Sequence, residues 1–312
     1  MSQSALNPVS TANQATRGER RHELDVLTTL IVFGLMFMHT ASIFSGQQLV
    51  VNRMQRGPAA TVPFAFFVVF EFIWIMPALM FIAGIAICYS LRRRTADEFV
   101  RERLMRLGMP FLTGLVFLNA PQIYYYLLDR TNYQQTFWQF YPQYWNIKFS
   151  LRFFPYFIEA AGEENFSVSH LWFLIYLLTY TLLLLPLILY LRTPAGERLV
   201  ERVAGFFSRR LAIFLLAIPI VLLEGILGAS WLSGWNRWIW PFFIVYGYLC
   251  AADQRLTQAL VRHRTVALLV GLVGFLVFFM GTGILMGMQI DVLSDPGVPS
   301  IILRFVKAMT AW

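Results

Sequence analysis

Apolar residues run along this chain in eight long blocks, at roughly 24–45, 64–91, 108–128, 170–191, 211–231, 236–252, 265–289 and 299–312. Several approach or exceed the roughly 20 residues that carry a helix across a hydrocarbon core of about 30 Å. The pattern predicts an all-α, polytopic integral membrane helix bundle with about eight transmembrane helices.

The polar stretches between the blocks alternate in charge. One set comprises the N-terminal tail (Arg17, Arg20, Arg21), the second connection (Arg92, Arg93, Arg94, Arg101, Arg103, Arg106), the fourth (Arg192, Arg198, Arg202, Arg209, Arg210) and the sixth (Arg255, Arg262, Arg264), and holds 17 arginines. The other set holds Arg53, Arg56, Arg130, Lys148, Arg152 and Arg237, and Arg304 and Lys307 lie in the last block. Basic connections stay on the cytoplasmic side. The N-terminus is therefore expected inside, in a multi-pass protein whose two ends share a side if all eight blocks cross. Residues 1–19 are polar, read as a disordered cytoplasmic tail, and carry no cleavable signal pattern. Residues 20–312 then form the membrane domain, with 129–169 its long extracytoplasmic connection.

Composition agrees: 58% of residues are hydrophobic and 13% charged, against about 25% charged in a soluble domain. A net charge of +8 could suggest a nucleic-acid binder, but the alternation accounts for it and no nucleic-acid partner is expected. Cys88 and Cys250 lie inside predicted spans, make no disulfide framework and show no zinc spacing. No metal is expected.

Ionisable groups inside apolar blocks carry the chemistry. His39 stands in "ELDVLTTLIVFGLMFMHTASIF", about 22 Å along the helix from Leu24. It is a functional candidate by default, the plain alternative being a neutral histidine hydrogen-bonded between helices. Thr28, eleven residues earlier, projects from nearly the same face. Asp25 suits the helix N-terminus. Glu71, at comparable depth in the second block, could orient or protonate His39, or sit as a rim carboxylate. Pro77 should kink that block, and Gly84 between small residues allows close helix contact. Arg103 and Arg106 share a face of a short helix, at a spacing that suits a phosphate clamp as well as a topology signal. The aromatic, amide-rich connection suits an interfacial belt, a carbohydrate surface, or both. His170 sits at the outer mouth of the fourth block, in "HLWFLIYLL", and Glu224 lies in the fifth.

The stretches "RRHELDVL…MFMHT", "WIMPALMFIAGIA…SLRRR", "FVRERLMRLGMPFL" and "HLWFLIYLL", in this order across about residues 20–190, resemble the membrane-bound acyltransferase family 3. The resemblance extends to the subgroup of glucan biosynthesis protein C. It implies about ten helices, a cytoplasmic acyl-CoA donor as co-substrate without a permanently bound cofactor, and transfer to an extracytoplasmic carbohydrate hydroxyl. It makes His39 the catalytic base, Arg103 and Arg106 the CoA-holding pair, and His170 the histidine of the fourth motif. Two departures stand out. The family often has an arginine at the position of Thr28, and relatives continue for about two more spans beyond "IILRFVKAMTAW".

The expected activity is O-acylation of a glycan by acetyl or succinyl transfer in a bacterial-type inner membrane, with His39 as base or as a transient acyl carrier. A transporter using His39, Glu71 and Glu224 as a relay, or a degenerate relative with a structural role, is the alternative.

Overall fold

A computed structural model describes residues 22–44, 58–161, 166–229 and 234–312. The expected tail over 1–19 lies outside the described residues. Helices follow the apolar blocks: α1 is His22–Phe44, α2 Pro58–Leu91 and α3 Ala96–Asp129. The long third connection folds into a short helix, α4 (Phe137–Tyr144), and an antiparallel hairpin of β1 (Ile147–Phe149) and β2 (Ile158–Ala160). Then come α5 (Trp172–Leu191), α6 (Pro194–Phe207), α7 (Ala217–Leu227), α8 (Trp240–Ala252), α9 (Gln254–Gly287) and α10 (Val298–Ala311).

Among the described residues, four helices are long and apolar enough to cross a membrane: α2, α3, α9 and the segment Ser169–Leu191. A fifth span arises if α6 and the helical stretch Ala212–Leu227, which meet at 118°, are taken together. The chain is a multi-pass, predominantly helical membrane protein whose described strands are confined to the one hairpin. The first block supplies a shorter apolar helix, Val26–Ser42. α8 and α10 have 13 and 14 residues, about 20 Å of helix against about 30 Å of hydrocarbon.

Lipid tails are as apolar as leucine, so helices in a bilayer are joined by close packing and polar contacts rather than by hydrophobic burial. α2 and α8 show the first device. A Cβ on Gly84 would fall 2.0 Å from the Ile244 carbonyl oxygen, and one on Gly247 would fall 1.9 Å from that of Phe81. Each glycine admits the backbone of the other helix.

The second device joins α7 to α10. Glu224 and Lys307 form an ion pair, both fully buried. The Lys307 ammonium also donates to the Gly234 carbonyl at 2.9 Å and stands 4.3 Å from the centre of the Trp235 ring. Glu224 accepts the Asn236 N–H at 2.6 Å. The buried Arg304 donates to the carbonyls of Asp295 at 2.8 Å, Val292 at 3.2 Å and Gly225 at 3.2 Å. Burying such charges costs several kcal/mol per ion, and only this degree of saturation offsets it.

The two ends of the bundle differ. Arg92 donates to the Ala251 carbonyl and Arg255 to that of Glu201, both at 3.2 Å, which gathers the arginine-rich connections at one end. At the other, Arg237 donates to the carbonyls of Arg152 at 2.8 Å and Phe154 at 2.7 Å, while Tyr180 donates to the Arg237 carbonyl at 2.7 Å. These contacts fold the hairpin region onto α5.

Gly247→Ala should lower stability by about 1–3 kcal/mol, the cost of overpacking, read as a lower unfolding midpoint in detergent; an unchanged midpoint would contradict the α2–α8 contact. Lys307→Met alone leaves a buried carboxylate unpaired and should cost about 3–5 kcal/mol. Adding Glu224→Gln should recover most of that loss, and a double variant as unstable as the single one would contradict the pairing.

Candidate active site

The site is built on α3. Two π-turns interrupt that helix, Leu104–Gly108 and Leu115–Asn119, and a proline stands two residues beyond each, Pro110 and Pro121. Proline has no N–H and its ring crowds the carbonyl four residues back. Opening the preceding turn relieves that conflict while the backbone stays helical, and it shifts the register of the residues beyond the turn.

The second π-turn ends on Asn119, which is 2% exposed. Its side-chain amide donates to the Tyr144 hydroxyl at 2.9 Å and to the Ser167 carbonyl. Burial pushes the Tyr144 hydroxyl up to about 12, so it stays neutral and accepts. The Ser167 hydroxyl in turn accepts the Ser169 N–H at 3.1 Å. Ser169 has φ 41°, a left-handed conformation that costs a non-glycine residue about 1–3 kcal/mol and persists where its surroundings enforce it. Gly114 on α3 makes room for the next part of the turn, since a Cβ there would lie 2.8 Å from Leu171 Cδ2.

His170 sits exposed on the turn so held. The amide nitrogen of Gln122, three residues beyond Asn119 on α3, lies 3.2 Å from its Nε2. The ring of His39 lies 4.8 Å from the His170 ring, with the planes 47° apart. His39 is half-buried, and its Nδ1 is buried without a hydrogen-bond partner among the described residues. Such atoms are rare and call for an explanation. Carrying its hydrogen on Nε2, a neutral His39 would hold Nδ1 as a proton acceptor, and the neighbouring His170 is exposed.

Two of the histidines singled out in the sequence thus meet across 131 positions of chain. Glu71 is not the partner. Its carboxylate lies beside Gly34, where an added Cβ would fall 2.9 Å from Oε2, and no hydrogen bond joins it to His39 among the described residues. Gly34 is five residues before His39, about 7.5 Å along α1. Depth alone pairs the two side chains, but the crossing of α1 and α2 sets Glu71 against a different turn. Thr28 is half-buried on α1, and the side chain of Asp25 lies outside the described residues. Glu224, a candidate relay member, is committed to Lys307.

At the arginine-rich end, the first π-turn breaks the expected register of Arg103 and Arg106. Arg106, 71% exposed, pairs with Glu102 at 2.9 Å, and Glu102 also takes Arg94. Arg103 turns inward instead, its guanidinium carbon 5.0 Å from the centre of the Phe99 ring and its Nε buried without a partner. Gln122 is nineteen residues further along α3, roughly 28 Å and so close to the thickness of a hydrocarbon core. One helix carries the half-buried Arg103 near one end and the amide touching His170 near the other.

Asn119 and Gln122 were not among the residues that sequence reasoning selects. The signal was present as two amides three apart inside an apolar block and flanking a proline, in "LNAPQ". Polar side chains in a span face the protein interior.

The described residues thus form a polytopic helix bundle in which two imidazoles stand side by side. The acyltransferase 3 family model, described as an acyltransferase domain, matches residues 21–305, and the chain belongs to that family. It is a membrane acyltransferase, an enzyme that transfers groups other than amino-acyl groups. No curated protein and no solved structure matches it.

Asn119→Leu removes the donor to both Tyr144 and Ser167 and should destabilise the protein by about 1–3 kcal/mol while lowering acyl transfer. Tyr144→Phe removes one partner of Asn119 and leaves its bond to Ser167, so it should cost about 1 kcal/mol and leave transfer near wild type. Unfolding midpoints and turnover on both variants check this; equal losses of transfer would contradict the role of Asn119 in seating the His170 turn.

Proposed function

We propose that this acyltransferase moves an acetyl or succinyl group from cytoplasmic acyl-CoA to a hydroxyl of an extracytoplasmic glycan or other carbohydrate. Its place is a bacterial-type inner membrane, with the N-terminus and the arginine-rich end of the bundle in the cytoplasm, in keeping with the usual charge bias. The observation that carries the reading is the meeting of His39 and His170 at a ring separation of 4.8 Å. The resemblance of its motifs to the glucan biosynthesis protein C subgroup leads us to propose a periplasmic glucan as acceptor.

Arg103, with Arg106 once it leaves Glu102, holds the CoA phosphates through charge-assisted hydrogen bonds. The pantetheine arm runs along α3 toward the histidine pair. His39 accepts the proton of the acceptor hydroxyl as that oxygen attacks the thioester carbonyl. The tetrahedral intermediate collapses with loss of the C–S bond, and the proton passes from His39 to the departing thiolate. The products are the ester and free CoA, so His39 returns to its starting state. The reading needs acyl-CoA, a carbohydrate acceptor and the bilayer as partners; it needs no resident cofactor, metal or nucleic acid.

His39→Ala should lower transfer by about 10²–10⁴-fold, the usual contribution of a positioned general base, in protein that inserts and purifies normally. Arg103→Ala should raise the KM for acyl-CoA by roughly tenfold or more, the loss of one hydrogen bond to a charged group. Steady-state kinetics with labelled acyl-CoA decide both, and wild-type turnover in His39→Ala would overturn the assignment.

A further inference from the structure

We infer that Gln122 is a positioning residue that fixes the tautomer of His170, making its second ring nitrogen a hydrogen-bond donor at the acyl-transfer centre. The inference rests on the acyl-transfer reading of this site. An amide nitrogen carries two hydrogens and no available lone pair, so it only donates. The atom that it faces at 3.2 Å, Nε2 of His170, therefore accepts. A neutral imidazole that accepts at one nitrogen carries its hydrogen on the other, so Gln122 holds that hydrogen on Nδ1.

The two rings need to be told apart. They are 4.8 Å from each other, yet transfer asks opposite things of them. The base must present a bare nitrogen, and His39 has a buried Nδ1 without a partner among the described residues. The negative charge that grows on the thioester oxygen needs a donor already in place. Gln122 supplies the asymmetry, since among the described residues it bonds to His170 and not to His39. His39 then takes the proton, and the His170 N–H stabilises the oxyanion.

α3 is rigid where this is done. Asn119, one turn before Gln122, grips the Ser167 carbonyl on the far side of the turn, and Leu171 is seated over Gly114. The backbone is thus held on both sides of His170, and Gln122 is the contact to the ring itself. A tautomer preference holds only if the ring cannot swing away from the group that sets it. The second π-turn, which ends on Asn119, brings both amides to bear on the same turn.

The test uses the full-length protein in lipid nanodiscs with ¹⁵N-ring-labelled histidine. The chain has four histidines, so His170→Asn identifies the His170 signals by subtraction. In the wild type, Nδ1 should show the shift of a protonated nitrogen and Nε2 that of a bare one; the reverse pattern overturns the inference without any variant at Gln122. Gln122→Met, similar in length but unable to donate, should give mixed tautomers and lower kcat about tenfold with the KM for acyl-CoA unchanged. Gln122→Glu, which accepts, should move the hydrogen to Nε2 and lower kcat at least as far. If His39→Ala is inactive while Gln122→Met keeps the wild-type tautomer and kcat, this inference alone fails. If His39→Ala is active, the acyl-transfer reading fails with it.

Discussion

The crossing of α2 and α8 is the contact on which the rest of the bundle depends. In lipid, apolar side chains gain nothing by touching each other rather than acyl tails, so the helices need another reason to meet. Gly84 and Gly247 provide it by letting two backbones approach to distances that any Cβ would block. α1 packs along α2, which puts His39 at a defined height, and α10 joins α9 and α7 through small residues and buried charges. Glu224, Lys307 and Arg304 then act as fasteners, each fully occupied by neighbours. Charges in this protein fall into two kinds: those sealed into structure and those left with capacity to act.

α3 belongs to the second kind, and its irregularity is what equips it. A regular helix interrupted by Pro110 and Pro121 would lose backbone bonds in a medium with no water to replace them. The π-turns keep the helix continuous. The first also sets Arg106 out of register with Arg103, which packs on Phe99, and the second brings Asn119 and Gln122 onto the His170 turn. The same two prolines thus stand near two positions on α3, Arg103 and Gln122, that are separated by roughly the thickness of a hydrocarbon core. The strained φ of Ser169 fits this view, since the strain lies next to a histidine whose backbone is held from both sides.

The sequence revealed the individual members of this site better than their relations. His39 and His170 stand out because imidazoles are costly in apolar blocks. Their pairing depends on how α1 meets the turn before α5, which no local pattern encodes. Glu71 matched His39 in depth, but depth along two crossing helices does not determine which side chains face each other. The register of Arg103 and Arg106 came from an ideal helix, and the π-turn starting at Leu104 lay between them unseen, although "LGMP" and "LNAP" both mark such turns. Lys307 and Arg304, the two basic residues of the last block, have partners that no local pattern gives: Glu224 and the carbonyls around Gly225. Helix class and charge alternation were legible because they are one-dimensional. The count of crossings was less so, because α8 and α10 are apolar yet short.

The central claim is that one chain carries an acyl group from the arginine-rich face to a histidine pair at the opposite face. Its most direct test is sidedness in proteoliposomes of uniform orientation, with acyl-labelled acyl-CoA supplied only at the arginine-rich face and a glucan acceptor only at the other. The account predicts labelled ester on the acceptor, with free CoA released on the side of supply. Ester formed only when both substrates share one face, or acceptor movement without thioester cleavage, would contradict it.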